Sequence, residues 1–163
     1  MDVLDEEFIR FWRILNANNV RYIMVGGIAT RFHGYNRATD DVDIWLDDTL
    51  PNRQNLRKAF TELSYGDYAS IETMQFVPGL TSFYAPGVEL DIMTEMKGIE
   101  KESFQVCYEM ASVSELDGVK VPFLHINHLI ANKKAVNRPK DQLDVIELEK
   151  IKQIRENNTA LEG

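Results

Sequence analysis

The sequence predicts an α+β fold, a small mixed β-sheet flanked by helices with a helical C-terminal end. Three observations point to it. Short apolar runs bounded by Gly, Pro, Asn or Asp recur through the middle of the chain, as strands do. Segments with apolar residues three and four apart precede and interrupt those runs, as helices do. Beyond residue 125 the helical period dominates. A length of 163 residues suits a single domain, with a core over about 20–124 and C-terminal helices over about 125–156.

The elements follow in order. Residues 4–17 place Leu4, Phe8, Phe11, Trp12 and Leu15 at helical spacing, and Asp5, Glu6 and Glu7 open the first turn, where acids suit the helix dipole. Val20 to Val25 reads as a buried strand that stops at Gly26-Gly27. Ile28, Ala29 and Phe32 continue with helical spacing to Gly34, a C-cap. Thr39 to Leu46 alternates and reads as a second strand; Asn52 to Leu63 reads as a helix, after a turn at Asp47-Asp48-Thr49. Residues 66–72 carry no period. Three short strands are expected at Met74–Val77, Ser82–Ala85 and Val88–Met93, separated by Pro-Gly turns. A short helix over 102–111, a strand over Lys120–Leu124, and helices over 125–135 and 139–156 complete the chain, with a frayed tail.

Composition excludes several classes. Charged residues make up 27% and hydrophobic ones 44%, which is ordinary for a globular protein. The formal net charge of -8 argues against a broad nucleic-acid-binding surface, which needs basic character. One cysteine, Cys107, forms no internal disulfide and fits a reducing compartment. No run reaches the apolar length of a membrane span, and the N-terminus is acidic where a signal peptide is basic, so no membrane partner and a cytoplasmic location are expected.

The chemistry concentrates at Gly26-Gly27 and Asp41-Val42-Asp43. Residues two apart on a strand share a face, so Asp41 and Asp43 project together while Val42 and Ile44 enter the core. Two adjacent carboxylates repel unless a cation lies between them, and Mg²⁺ favours one or two carboxylates together with substrate phosphates. Taken alone, such a pair is more often two exposed acids. The glycines add a second signal: at a strand-to-helix transition they let backbone N–H groups approach a phosphate. Lys133, Lys134, Arg138 and Lys140 gather in a short stretch of an otherwise acidic chain, where they would neutralise phosphate or simply cover a solvated loop.

Val25-Gly26-Gly27, thirteen residues, then Asp41-Val42-Asp43-Ile44 resembles the signature of the minimal nucleotidyltransferases, the superfamily that includes DNA polymerase β. The third family carboxylate lies on a later strand between apolar residues, which Leu90-Asp91-Ile92 matches; Glu89, on the same face with similar flanks, is the alternative. Arg37, Thr39, Asp41 and Asp43 are similar to the Arg-x-Thr-x-Asp-x-Asp form of bacterial abortive-infection-type toxin nucleotidyltransferases. The C-terminal match to those proteins is Lys133 or Lys134, then Arg138, Lys140, Asp141 and Asp144. The resemblance implies the nucleotidyltransferase fold and Mg²⁺-dependent transfer of NMP from an NTP to a hydroxyl acceptor, with two metal ions and Mn²⁺ as a substitute. It implies Asp41, Asp43 and Asp91 as metal-binding and catalytic, and Gly26, Gly27, Arg37, Thr39, Lys133, Lys134, Arg138 and Lys140 as nucleotide-binding. Three acceptors are consistent with it: a small molecule such as an antibiotic, a protein side chain, or a tRNA end. The setting would be toxin–antitoxin or resistance, with an antitoxin or a second copy as partner. The competing expectation is a catalytically inactive module of the same fold that binds nucleotide or protein. His125 and His128, His33 and Cys107 are expected to be structural, since no further ligand or activating base stands beside them. Trp45 shares the face of the acids, as a core or rim residue or as the border of a nucleobase.

Overall fold

The computed structural model describes residues 5–39, 41–85 and 88–162. Asp40 of the expected second strand, Pro86-Gly87 of an expected turn and Leu4 of the expected first helix lie outside them. Helix α1 (Glu6–Ala17) starts where Asp5 accepts a hydrogen bond from the Glu7 amide at 3.0 Å, and it buries Phe8, Ile9, Phe11, Trp12 and Leu15 along one stripe. Strand β1 (Tyr22–Val25) is buried throughout, because both of its faces are covered. It passes directly into α2 (Gly26–Phe32), and Gly34 at φ 116 turns the chain away after it.

Strand β2 (Asp41–Leu46) returns antiparallel to β1, with Val25 opposite Asp43 and Tyr22 opposite Leu46. Helix α3 (Leu50–Glu62) begins on the Thr49 hydroxyl cap. Its buried Asn52 accepts from the Arg21 amide at 2.7 Å and donates to the Arg21 and Asp47 carbonyls at 2.9 and 2.7 Å, which pins α3 to the ends of β1 and β2. Strands β3 (Ser82–Ala85) and β4 (Val88–Met93) form a hairpin, and β4 runs parallel to β2. Helix α4 (Phe104–Met110) leads to the antiparallel pair β5 (Ser112–Leu116) and β6 (Val119–Phe123), of which β6 lies parallel to β1. The six-stranded mixed sheet therefore has the order β3-β4-β2-β1-β6-β5. Helices α5 (Ile126–Val136) and α6 (Pro139–Glu162) finish the chain, joined at Asn137, whose left-handed φ of 58 ends α5. No described helix is long and apolar enough to cross a membrane.

Three expectations change. Met74–Val77 is not a strand: Phe76 is buried, but the Arg53 guanidinium donates to the Ile71 and Met74 carbonyls at 2.9 and 2.6 Å and lies 4.6 Å from the Phe76 ring centroid. One side chain thus satisfies backbone groups that a ladder would otherwise hold. Strand β5 went unread because it is a half-exposed edge carrying Ser and Glu. The C-terminal tail is helical to Glu162 rather than frayed.

His33 ties three elements together. Its Nε2–H donates to the Leu124 carbonyl at 2.8 Å, and Nδ1 accepts from the Arg155 guanidinium at 3.3 Å. A carbonyl only accepts and a guanidinium only donates, so the ring is neutral with its proton on Nε2. Burial, aided by the charges of Arg155 and His125, pulls its pKa from 6.5 to about 4. The folded value lies below the unfolded one, so the unfolded chain binds the extra proton. The stability His33 supports is present above pH 6.5 and is lost as pH falls toward 4. We expect the unfolding free energy of the wild type, measured by urea titration, to drop relative to that of His33→Gln across this interval, with a slope of up to about 1.4 kcal/mol per pH unit.

Candidate functional site

The turn from β1 into α2 is built for close approach. Gly26 sits at φ 65, and a Cβ there would lie 2.2 Å from Asp43 Oδ2. A Cβ on Gly27 would lie 2.5 Å from Thr39 Oγ1 and 3.2 Å from an Arg37 guanidinium nitrogen. Any larger residue at either position would push into the acid or into the wall beside it. Thr39 is buried, and its hydroxyl donates to the Asp41 carbonyl at 3.3 Å where the chain enters β2.

Along β2 the side chains alternate, so Val42 and Ile44 are fully buried while Asp41 and Asp43 face a cleft. The parallel register sets Asp43 opposite Asp91 and Asp41 opposite Glu89, so two neighbouring strands bring four carboxylates to one face. Burial, together with the charges of Asp91 and Asp41, pushes the Asp43 carboxyl up to about 7, against the pull of Lys133 and Lys140. Burial likewise raises Asp91, and the Asp41 charge raises Glu89. Asp91 Oδ2 accepts from the Gly79 amide at 3.0 Å, whereas its Oδ1 is buried without a partner. Among the described residues these acids do not close into a cage of three or more ligands. They form an open, repelling set with one orphaned acceptor, a donor set fitting a hard cation that keeps water and phosphate ligands of its own.

The cationic side of the cleft rests on two buried aspartates. Asp141 and Asp144 in the first turns of α6 are each 1% exposed. Lys133 Nζ lies 2.8 Å from Asp144 and 3.6 Å from Asp141. Arg37 donates to Asp144 at 2.9 Å, and its Nε lies 2.7 Å from the other carboxylate oxygen, off the line of a hydrogen bond. Arg138 pairs with Asp141 at 2.7 Å and also donates its backbone amide at 3.0 Å. Burial pushes the Asp141 carboxyl up, but the Arg138 hydrogen bonds and the Arg138 and Lys133 charges outweigh it and hold the group below its ordinary value.

The cleft has a volume of about 580 Å³. Gly26, Gly27, Arg37, Thr39, Asp41 and Asp43 line it, as do Asp91, Lys133, Arg138 and Lys140. Of the cations, Arg37, Lys133 and Arg138 are committed to Asp141 and Asp144, and Lys140 carries no ion pair among the described residues. Lys134 departs from expectation: it lies outside the cleft lining and pairs with Glu149 at 3.2 Å on the exposed side of α5, since one step along a helix turns a side chain by about 100°. The sequence left Asp141 and Asp144 open, and they are the anchors of this wall. Met93, Met96, Lys97, Asn132 and Val136 also line the cleft and were not singled out, because no local pattern marks them. Trp45 is 4% exposed, donates to the Thr94 carbonyl at 3.2 Å and packs on Phe104, away from the cleft. His125 caps α5, accepting from the Asn127 amide at 3.1 Å.

No family model matches the chain, and no curated protein does. Solved structures do. A candidate nucleotidyltransferase from Thermotoga maritima, TM1012, superposes with a TM-score of 0.54 at 16% identity, over 93% of this chain and 90% of its own. The antibiotic-resistance factor ANT(2'')-Ia matches at 0.56 and 16%, covering 96% and 93%. Its complex with adenylyl-2"-tobramycin matches at 0.54 and 14%, covering 95% and 96%. A nucleotidyltransferase-like protein from Paracoccidioides brasiliensis matches at 0.52 and 18%, covering 87% and 74%. The chain has the nucleotidyltransferase fold. Within this fold, β1, the Gly-Gly turn, β2 and β4 form the floor of the cleft, and α5 with the start of α6 supplies its cationic wall.

The wall depends on Asp144. Asp144→Asn keeps the shape and removes the charge that Lys133 and Arg37 share, leaving Lys133 buried with only its longer contact to Asp141. We expect a loss of about 3–5 kcal/mol in urea unfolding, with Asp144→Ala no better tolerated.

Proposed function

We propose that the chain is a nucleotidyltransferase that moves a nucleoside monophosphate from an NTP to a hydroxyl acceptor and releases pyrophosphate. The observation that carries this reading is the Asp43–Asp91 register beside the Gly26-Gly27 turn, with Asp91 Oδ1 buried and unpartnered. Asp41, Asp43 and Asp91 would hold Mg²⁺, two ions by the resemblance, with Mn²⁺ as a substitute. When bound, the cations would supply charge stabilisation at the attacking and leaving oxygens.

The chain's own groups account for the rest. The Gly26 and Gly27 backbone lets the phosphates come close, and Arg37, Lys133, Arg138 and Lys140 place positive charge where the pyrophosphate leaves. The acceptor oxygen forms a bond to the α-phosphorus as the bond to the bridging oxygen of pyrophosphate breaks. The hydroxyl proton passes to Asp91, whose carboxylate stands on the cleft floor opposite Asp43. The likeness to ANT(2'')-Ia supports a small hydroxylated acceptor. A protein side chain or a tRNA end would fit the toxin-type resemblance, with an antitoxin or a second copy as partner.

Wild type, Asp41→Asn and Asp43→Asn would each be incubated with every NTP, Mg²⁺ or Mn²⁺ and acceptors of the three classes. Pyrophosphate release and adduct mass would be followed. We expect release from the wild type and a fall of about 10³-fold in both variants, with circular dichroism unchanged. Wild-type turnover in both variants overturns the assignment. Nucleotide binding with no release under any condition identifies a catalytically inactive module instead.

A further inference from the structure

Five cations line the cleft, and three of them are spoken for. Arg37, Lys133 and Arg138 are held by Asp141 and Asp144, so much of their charge is already balanced inside the protein. Lys140 and Lys97 have no ion-pair partner among the described residues. Lys140 belongs to the basic stretch at the start of α6. Lys97 belongs to no motif. It lies on the connection between β4, which carries Asp91, and α4.

That connection is fastened down. Gly98 adopts φ 90 and sits so close to α5 that a Cβ would lie 2.6 Å from the Ala131 carbonyl oxygen. Asn132 Nδ2 donates to the Lys97 carbonyl at 2.8 Å, and Trp45 Nε1 donates to the Thr94 carbonyl at 3.2 Å. Met96 and Ile99, on either side, are buried at 4% and 6%. The backbone of Lys97 is therefore fixed from both sides while its side chain is exposed at the cleft. No ion pair among the described residues holds the Lys97 side chain, on which only the charge of Glu100 acts nearby, so the fixed backbone presents its ammonium at a cleft that holds four carboxylates. A polyanion entering beside the metal-binding acids would meet it.

We infer that Lys97 is a polyphosphate-binding residue, which with Lys140 contacts the terminal phosphates of the NTP and the departing pyrophosphate. This rests on the reading of the cleft as an NTP site. Two cations from separate elements, neither in an ion pair among the described residues, are able to turn to the ligand, although Lys140 also acts through its charge on Asp43 and Lys97 on Glu100. Arg37 and Lys133 divide theirs with Asp144.

The test is binding of inorganic tripolyphosphate in the presence of Mg²⁺, measured by titration calorimetry, together with KM for the NTP. Lys97→Ala should weaken both by about tenfold or more, the weight of one charge-assisted hydrogen bond. Lys97→Arg should keep most of the affinity. Lys120→Ala, an exposed lysine on β6, removes the same net charge far from the cleft and should leave both unchanged. Melting temperature should be the same in all three variants, because none of these side chains is paired or buried. If Lys97→Ala binds tripolyphosphate as tightly as Lys120→Ala, the role of Lys97 is overturned and the proposed activity stands. If the wild type binds neither tripolyphosphate nor any NTP, the NTP reading itself falls and the role of Lys97 falls with it.

Discussion

Two aspartates that cannot be buried alone organise the cationic half of this molecule. Placing Asp141 and Asp144 at 1% exposure costs several kcal/mol per charge, of about the order that only well-placed cations and hydrogen bonds return. Helix α6 can therefore dock only where Lys133 of α5 and Arg37 of the α2–β2 connection meet its first turns. Residues 35–39 of that connection have no regular structure of their own, and the Arg37–Asp144 pair holds them against α6. Its far end sets Thr39 over Gly27 and delivers Asp41 to the cleft. A buried ion pair is weak evidence for stability, but here it fixes which surfaces meet.

The acidic half is the reverse case. Asp41, Asp43, Glu89 and Asp91 are brought together by strand register, and Asp91 alone of the four accepts from a backbone amide outside its strand among the described residues, that of Gly79. The consequence is an Asp43 carboxyl near 7 and an orphaned Asp91 oxygen. The free protein holds this repulsion because β2 and β4 are anchored by the fully buried Val42, Ile44 and Ile92 on their other face. Crowded acids on the floor, largely paired cations on the wall and two lysines without an ion pair among the described residues give the cleft two faces of opposite charge. The formal charge of -8 is unevenly spread: four of the carboxylates stand together on the cleft floor, facing a cationic wall.

Much of the fold was legible because its signals are local. The amphipathic stripe of α1, the apolar run of β1 and the Gly-Gly stop are set within a few residues of each other. Where composition misled, a distant side chain had intervened. Met74–Val77 has strand-like residues, but Arg53 of α3 satisfies its neighbourhood's carbonyls and removes the need for a partner strand. Strand β5 has the opposite character: residues of weak strand preference are held in the ladder by their neighbour β6.

The sequence by itself determined the chemistry on offer: a glycine turn, acids alternating with core residues, an acid between apolar neighbours on a later strand, and a basic stretch. Each is a short-range pattern that backbone geometry reads directly. The tertiary structure decided what those groups face. It set Asp43 against Asp91 through a register between distant strands, and turned Lys133 inward and Lys134 outward through the phase of α5. It also brought Lys97 to the cleft through the seat that Gly98 finds on α5. Register and helix phase are settled by packing between segments remote in the chain, so no window of sequence contains them.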